Sequence, residues 1–332
     1  MIRRFSSTLR TASFGGCNFP DVNSDGALHL PFLKQLSLLN DRISEESLYA
    51  FLDSCPVLQS LMLSQDIGCS HIRIVSGTLR SIGMRPGSEG TTLQHLIIED
   101  AACLERLLLC GFGFGKETVI SVIAAPKLYI LGKIPFYEPR LEFGNTIFQA
   151  LTVLFTSVFM RGSNVVCSRT VLRSVKILSL THDNLTFDVA VFDFIKCFPC
   201  LENLYIKICQ VYFKPIRSEE SNAWSNLISI LNITLKKIVL TGYQGNKAHV
   251  NFAKFFVLNA RLLESMVLEI DVLNNNSEWI ERQKRLLEIT SRASRDARFD
   301  FVSHLIRPTS SDIWKNQCRS NGSQVAISTA DI

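Results

Sequence analysis

The spacing of leucines in this chain points to an α/β solenoid of leucine-rich repeats. Its expected form is a curved parallel sheet on the concave side, helices on the convex side and a capping module at the C-terminal end. Two observations lead there. The pattern L-x-x-L-x-L recurs along the sequence, with matched copies 25 to 28 residues apart. The segments joining matched copies carry apolar residues at helical spacing. Leucine repeats have periods of about 20–29 residues, which includes the spacing seen here.

The first strand is read at Leu9-Arg-Thr-Ala-Ser-Phe14, closed by the Gly15-Gly16 turn. Leu33-Lys-Gln-Leu36-Ser-Leu38 and Leu58-Gln-Ser-Leu61-Met-Leu63 form the first matched pair. Between them, Ile43, Leu48, Phe51 and Leu52 fall close to one helical stripe. Pro56 ends that helix, because proline disfavours helical geometry in the residue before it. Leu93-Gln-His-Leu96-Ile-Ile98, Leu104-Glu-Arg-Leu107-Leu-Leu109 and the looser Leu128-Tyr-Ile-Leu131 continue the series. From about 126 to 170, Pro126, Gly132, Pro135, Pro139 and Gly144 interrupt it, and this stretch reads as a distorted pair of turns.

The second pair is Val175-Lys-Ile-Leu178-Ser-Leu180 and Leu201-Glu-Asn-Leu204-Tyr-Ile206, joined by a helix over 188–196 and the breaker Phe198-Pro-Cys200. The third is Leu235-Lys-Lys-Ile238-Val-Leu240 and Leu263-Glu-Ser-Met266-Val-Leu268, joined by a helix over 250–258. Residues 274–287 begin like a capped helix with a stripe of Trp279, Ile280, Leu286 and Leu287, expected to lie over the last turn. The resulting division is 1–27 for an N-terminal remnant and first strand, 28–224 for the repeats, 225–305 for a C-terminal repeat and cap, and 306–332 for a disordered tail.

Composition narrows the function. Apolar residues make up 47% and charged residues 20% of 332, as in a folded protein. A net charge of +5 is small for this length and argues against a dedicated nucleic-acid binder. The basic stretch 282–298 is interleaved with Glu288 and Asp296 and reads as a solvated face. The longest uncharged run, 143–160, is diluted by Gly, Asn, Gln, Ser and Thr, short of the roughly 20 apolar residues of a membrane helix. The N-terminus shows no secretory h-region, so the ten cysteines are expected to be reduced, in cytoplasm or nucleus.

Motifs that suggest chemistry fall short of their requirements. A phosphate-binding loop needs Gly, four residues and then Gly-Lys-Ser/Thr; at Gly111-Phe-Gly-Phe-Gly115-Lys116 the first place is Cys110 and Glu117 follows the lysine. Cys197-Phe-Pro-Cys200 has redox or half-zinc spacing, but no second pair accompanies it, and Cys209 with His182 does not complete four ligands. Pro199 occupies the place of Pro56 in the repeat and Cys200 that of Val57, which places Cys200 at the core edge. The histidines (29, 71, 95, 182, 249 and 304) form no triad or carboxylate pair by spacing and read as surface or loop residues. No enzyme site, metal or cofactor is expected.

Several of these residues carry a family resemblance: 54–61 (SCPVLQSL), 125–128 (APKL), 235–245 (LKKIVLTGYQG) with the helix at 250–256, 259–264 (NARLLE) and 293–301 (ASRDARFDF). Across roughly 9–303 the chain resembles plant F-box proteins with leucine repeats and a C-terminal FBD module, the FBD part being the most specific. The resemblance implies substrate choice for a ubiquitin ligase. In that family an F-box of about 40–50 residues precedes the repeats and docks the cullin-ligase adaptor. Here repeats begin near Leu28, so the F-box is expected to be missing and adaptor docking is not carried over.

Side chains between the core leucines of each strand point away from the core, onto the concave face. The candidate protein-binding residues are therefore Gln35, Ser37, Ser60, Met62, His95, Ile97, Arg106, Ser179, Asn203, Tyr205, Lys237 and Val239. The expected partner is a protein, either a substrate or a regulator. The alternative is a free-standing scaffold, or a sensor fragment like that of an immune receptor with no ligase link.

Overall fold

The structure is a computed structural model that describes residues 7–19, 29–64, 67–85, 93–109, 118–135, 140–143, 146–148, 172–183, 191, 195–209 and 234–304. Among them, eleven strands form one sheet in the order β1 (Thr11–Gly15), β2 (Gln35–Leu39), β3 (Ser60–Ser64), β5 (Ser81–Arg85), β7 (Arg106–Leu109), β9 (Ile130–Pro135), β12 (Ile177–Asp183), β13 (Asn203–Cys209), β14 (Lys237–Tyr243), β15 (Ser265–Asp271) and β16 (Arg298–His304). Every neighbouring pair is parallel.

Register turns the leucine motif into a ladder. Leu36, Leu61, Ile82, Leu107, Leu131, Leu178, Leu204, Ile238 and Met266 are cross-strand partners in one unbroken column. None is more than 2% exposed. Burying one such side chain is worth about 1.5–3 kcal/mol, and each coil obtains it only because the next coil covers it. The strand at 81–85 was not among the sequence copies, although Leu79-Arg-Ser-Ile82-Gly-Met84 keeps the spacing with Ile and Met in place of Leu.

The outer side differs from the expected row of helices. α1 (Glu45–Asp53), α2 (Lys247–Asn259) and α3 (Ser277–Leu286) lie there, and Val191, Ile195 and Lys196 are helical. Their N-caps follow the polar-cap rule: the side chains of Ser44, Asn246 and Asn276 accept from the amides of Ser47, His249 and Trp279. Between β3 and β12 the outer side is a second sheet instead, in the order β11 (Thr146–Phe148), β10 (Arg140–Phe143), β8 (Val119–Val122), β6 (His95–Asp100) and β4 (His71–Val75). Its neighbours are parallel except β10 and β11. The segments His71-Ile-Arg-Ile-Val75 and Val119-Ile-Ser-Val122 alternate with period two and are rich in β-branched residues, so they bury Ile72, Ile74, Ile120 and Val122 as strands.

Two further corrections concern connectivity. β12 pairs directly with β9, so the irregular stretch contributes one concave strand where the sequence predicts two turns. The helix expected to lie over the last turn is the outer side of that turn, because β16 follows α3 and extends the sheet beside β15. The 1–27 remnant is described only over 7–19, where β1 pairs with β2, and the 306–332 tail lies outside the described residues.

Neighbouring coils are also joined by polar contacts. The buried Asp41 carboxylate accepts the Cys17 amide at 2.7 Å through Oδ1 and the Leu39 amide at 2.9 Å through Oδ2. Just before the strands, Glu202 bridges Lys176 and Lys236, each at 3.0 Å, and Arg80 meets Glu105 at 2.7 Å. The two ammonium partners hold the Glu202 carboxyl below its ordinary range. These pairs are half open to water and add little stability, but they fix which rim of the sheet is charged.

Candidate functional site

Alternation within each strand separates the two faces of the large sheet. On β7, Leu107 and Leu109 are fully buried in the core, so Arg106 and Leu108 project to the other face. The same logic places Gln35, Ser37, Ser60, Met62, Arg106, Ser179, Asn203, Tyr205, Lys237 and Val239 together on that concave face. Gln35–Ser60 and Ser37–Met62 are cross-strand partners, as are Ser179–Tyr205–Val239 and Asn203–Lys237. His95 and Ile97 are not with them. They lie on β6 of the outer sheet, where His95 stacks on His71 with ring centroids 4.8 Å apart.

The concave face is not uniformly polar. Leu108, Ile130, Ile177, Tyr205 and Val239 form a hydrophobic cluster separate from the main core, with Tyr129 and Val267 packed against it. They come from successive strands β7, β9, β12, β13 and β14, so the cluster is a stripe running across the strands. Burial pushes the Tyr205 hydroxyl up to about 12, and the Lys237 ammonium lies 5.9 Å from the centre of its ring. Leu108, Ile130 and Ile177 were absent from the sequence-level candidates. They stand at the third and fifth places of the repeat motif, the places that supply the other candidates.

Arg106 stands at the edge of this stripe, between Ser81 on β5 and Ile130 on β9. Its side chain is 9% exposed, and its Nε has no hydrogen-bond partner. Among the described residues it forms no ion pair; the nearby Glu105 is held by Arg80.

Other chemistry-bearing candidates separate. The glycine-rich 111–116 lies outside the described residues, as do the side chains of His182, Cys209 and His304. Cys200 is a free thiol, while Cys197 is disulfide-bonded, which corrects the expectation that every cysteine is reduced. Its partner is not Cys200, so the C-x-x-C pair does not close on itself. Among the described residues, no group of His, Cys, Asp and Glu is arranged to hold a metal, and no helix is long and apolar enough to cross a membrane.

His249 is not on the surface. It is 2% exposed on α2, its Nδ1 accepts the Gln244 amide at 3.0 Å, and burial pushes it down to about 4. It helps fasten the turn between β14 and α2, where Gly245 takes positive φ, as Gly242 does near the end of β14.

A parallel ladder of leucine repeats with one open, partly apolar face is a protein-interaction module. Residues 1–206 match the family model described as FBD-associated F-box protein At5g56370, LRR repeats, and residues 224–268 match FBD. The first match spans more than half of the chain, which therefore belongs to the family of leucine-rich-repeat segments of FBD-associated F-box proteins. Comparison with curated proteins and with solved structures gives no match.

Proposed function

We propose that the chain is a non-catalytic recognition module that binds a protein partner along its concave sheet, as the substrate-reading part of an F-box ubiquitin-ligase receptor. The observation that carries this reading is the second hydrophobic cluster. Leu108, Ile130, Ile177, Tyr205 and Val239 gather on the face opposite the core, bordered by polar residues such as Ser179, Asn203 and Lys237. An apolar centre with a polar rim, containing Tyr and Arg, is the anatomy of an interface. The family supplies the ligase context. Gln35, Ser37, Ser60 and Met62 extend the surface toward the N-terminal coils.

The test compares proteins captured from an extract of the source organism by the intact chain, by a concave variant carrying Ser37→Arg and Asn203→Arg, and by an outer-sheet variant, Ser121→Arg. The reading expects a captured set lost with the concave variant and kept with the outer one. Cullin-ligase adaptor in that set supports the ligase role, and its absence leaves a free-standing binder. Capture lost only with the outer variant contradicts the reading.

A further inference from the structure

We propose that Arg106 is the anchor for a carboxylate on an extended, otherwise apolar segment of the partner, the neighbouring side chains of that segment lying along Leu108, Ile130, Ile177, Tyr205 and Val239. This rests on the concave-face reading and adds the chemistry of what binds there.

A guanidinium keeps its charge under all ordinary conditions and presents its donors in a planar fork. When most of its surface is withdrawn from water, those donors are costly to leave unmade. Arg106 is in that position: 9% exposed, Nε without an acceptor, and no carboxylate among the described residues paired with it. Just before the strands, Arg80 is matched by Glu105, and Lys176 and Lys236 by Glu202. An unmatched charge on this face, largely withdrawn from water in the free chain, favours an arriving anion. A carboxylate satisfies the fork with two hydrogen bonds, whereas a neutral amide leaves the charge uncompensated.

The apolar stripe gives the rest of the segment its character. It starts at Leu108, two residues along β7 from Arg106, and crosses the strands to Val239 on β14. Neighbouring strands are about 4.8 Å apart, so the four steps from β7 to β14 span about 19 Å. An extended segment at about 3.4 Å per residue covers that distance in roughly six residues. Lys237 lies at the far end, on the strand that carries Val239, and favours a second acidic residue there.

A displayed library of random 12-residue peptides, panned on the intact chain, tests this directly. Peptides enriched on the wild type should carry Asp or Glu beside apolar residues, and a consensus peptide should bind Arg106→Met at least tenfold more weakly. Because Met removes an unpaired buried charge, that variant should melt no lower than the wild type. Should Arg106→Met misfold, the acid content of peptides selected on the wild type still decides the matter. Enriched peptides without acids, or binding to folded Arg106→Met within twofold of wild type, overturn the anchor. If such peptides are still lost with Asn203→Arg, the concave reading survives the anchor's failure. No enrichment, or binding blocked only by Ser121→Arg on the outer sheet, overturns both.

Discussion

The Tyr243 hydroxyl donates to Gln283 Oε1 at 3.0 Å, tying the end of β14 to α3 across forty residues of sequence. Both side chains are buried, Tyr243 fully. The Gln283 amide also lies against Gly245, where an added Cβ would meet it at 2.5 Å. Burial raises the tyrosine well above its ordinary range, so it stays a neutral donor. Tyr243→Phe leaves the Gln283 oxygen buried without that donor and should cost about 1–3 kcal/mol, read as a lowered urea midpoint. The double change Tyr243→Phe with Gln283→Met should cost less than the two singles added together.

Gly242 adopts φ +81°, and a Cβ there would come within 2.6 Å of the Ile208 carbonyl oxygen on the preceding coil. Both the left-handed backbone and the close approach require glycine. Gly242→Ala should destabilise the chain by about 3 kcal/mol, measured by thermal or urea unfolding. Gly77→Ala, at a site with open space around it, is the control and should change stability little.

His249 makes stability depend on pH. Its folded value is about 4, depressed from 6.5 by burial. Between those values the unfolded chain takes up a proton that the folded chain refuses, so stability rises with pH from about 4 to 6.5. The contribution is fully present above 6.5, falls as the solution is acidified toward 4, and amounts to roughly 3 kcal/mol over that window. His249→Gln should flatten this part of the stability–pH curve, as followed by urea unfolding at successive pH values.

Asp41→Ala removes the acceptor of two backbone amides, those of Cys17 and Leu39. Leaving them unpaired should cost about 2–4 kcal/mol. Hydrogen exchange should quicken first around β1 and β2, the coils this carboxylate joins.

The ladder was legible because its physics is written in single residues. Leu36, Leu61, Leu178 and Leu204 sit in one column, as their spacing requires. The inner and outer strands were harder to tell apart. Both sheets bury every second residue, so Leu93, Leu96 and Ile98 satisfy the same pattern from the outer side, and His95 and Ile97 were assigned to the wrong sheet. Chain length could have separated them. Leu96 precedes Leu107 by only 11 residues, too few for a coil, whereas ladder partners Ile82 and Leu107 are 25 apart. Arg106 was legible as a concave residue, but its lack of a partner was not. That property depends on which side chains the neighbouring coils bring to the guanidinium, and no local pattern fixes such a contact.

Hydrogen–deuterium exchange of the intact chain, free and saturated with the best library-selected peptide, measures the central claim most directly. The account predicts slowed exchange at 81–85, 106–109, 130–135, 177–183, 203–209 and 237–243, on the strands that carry Arg106 and the apolar stripe or border them. Protection confined to 71–75, 95–100 and 119–122 would place binding on the outer sheet and contradict it.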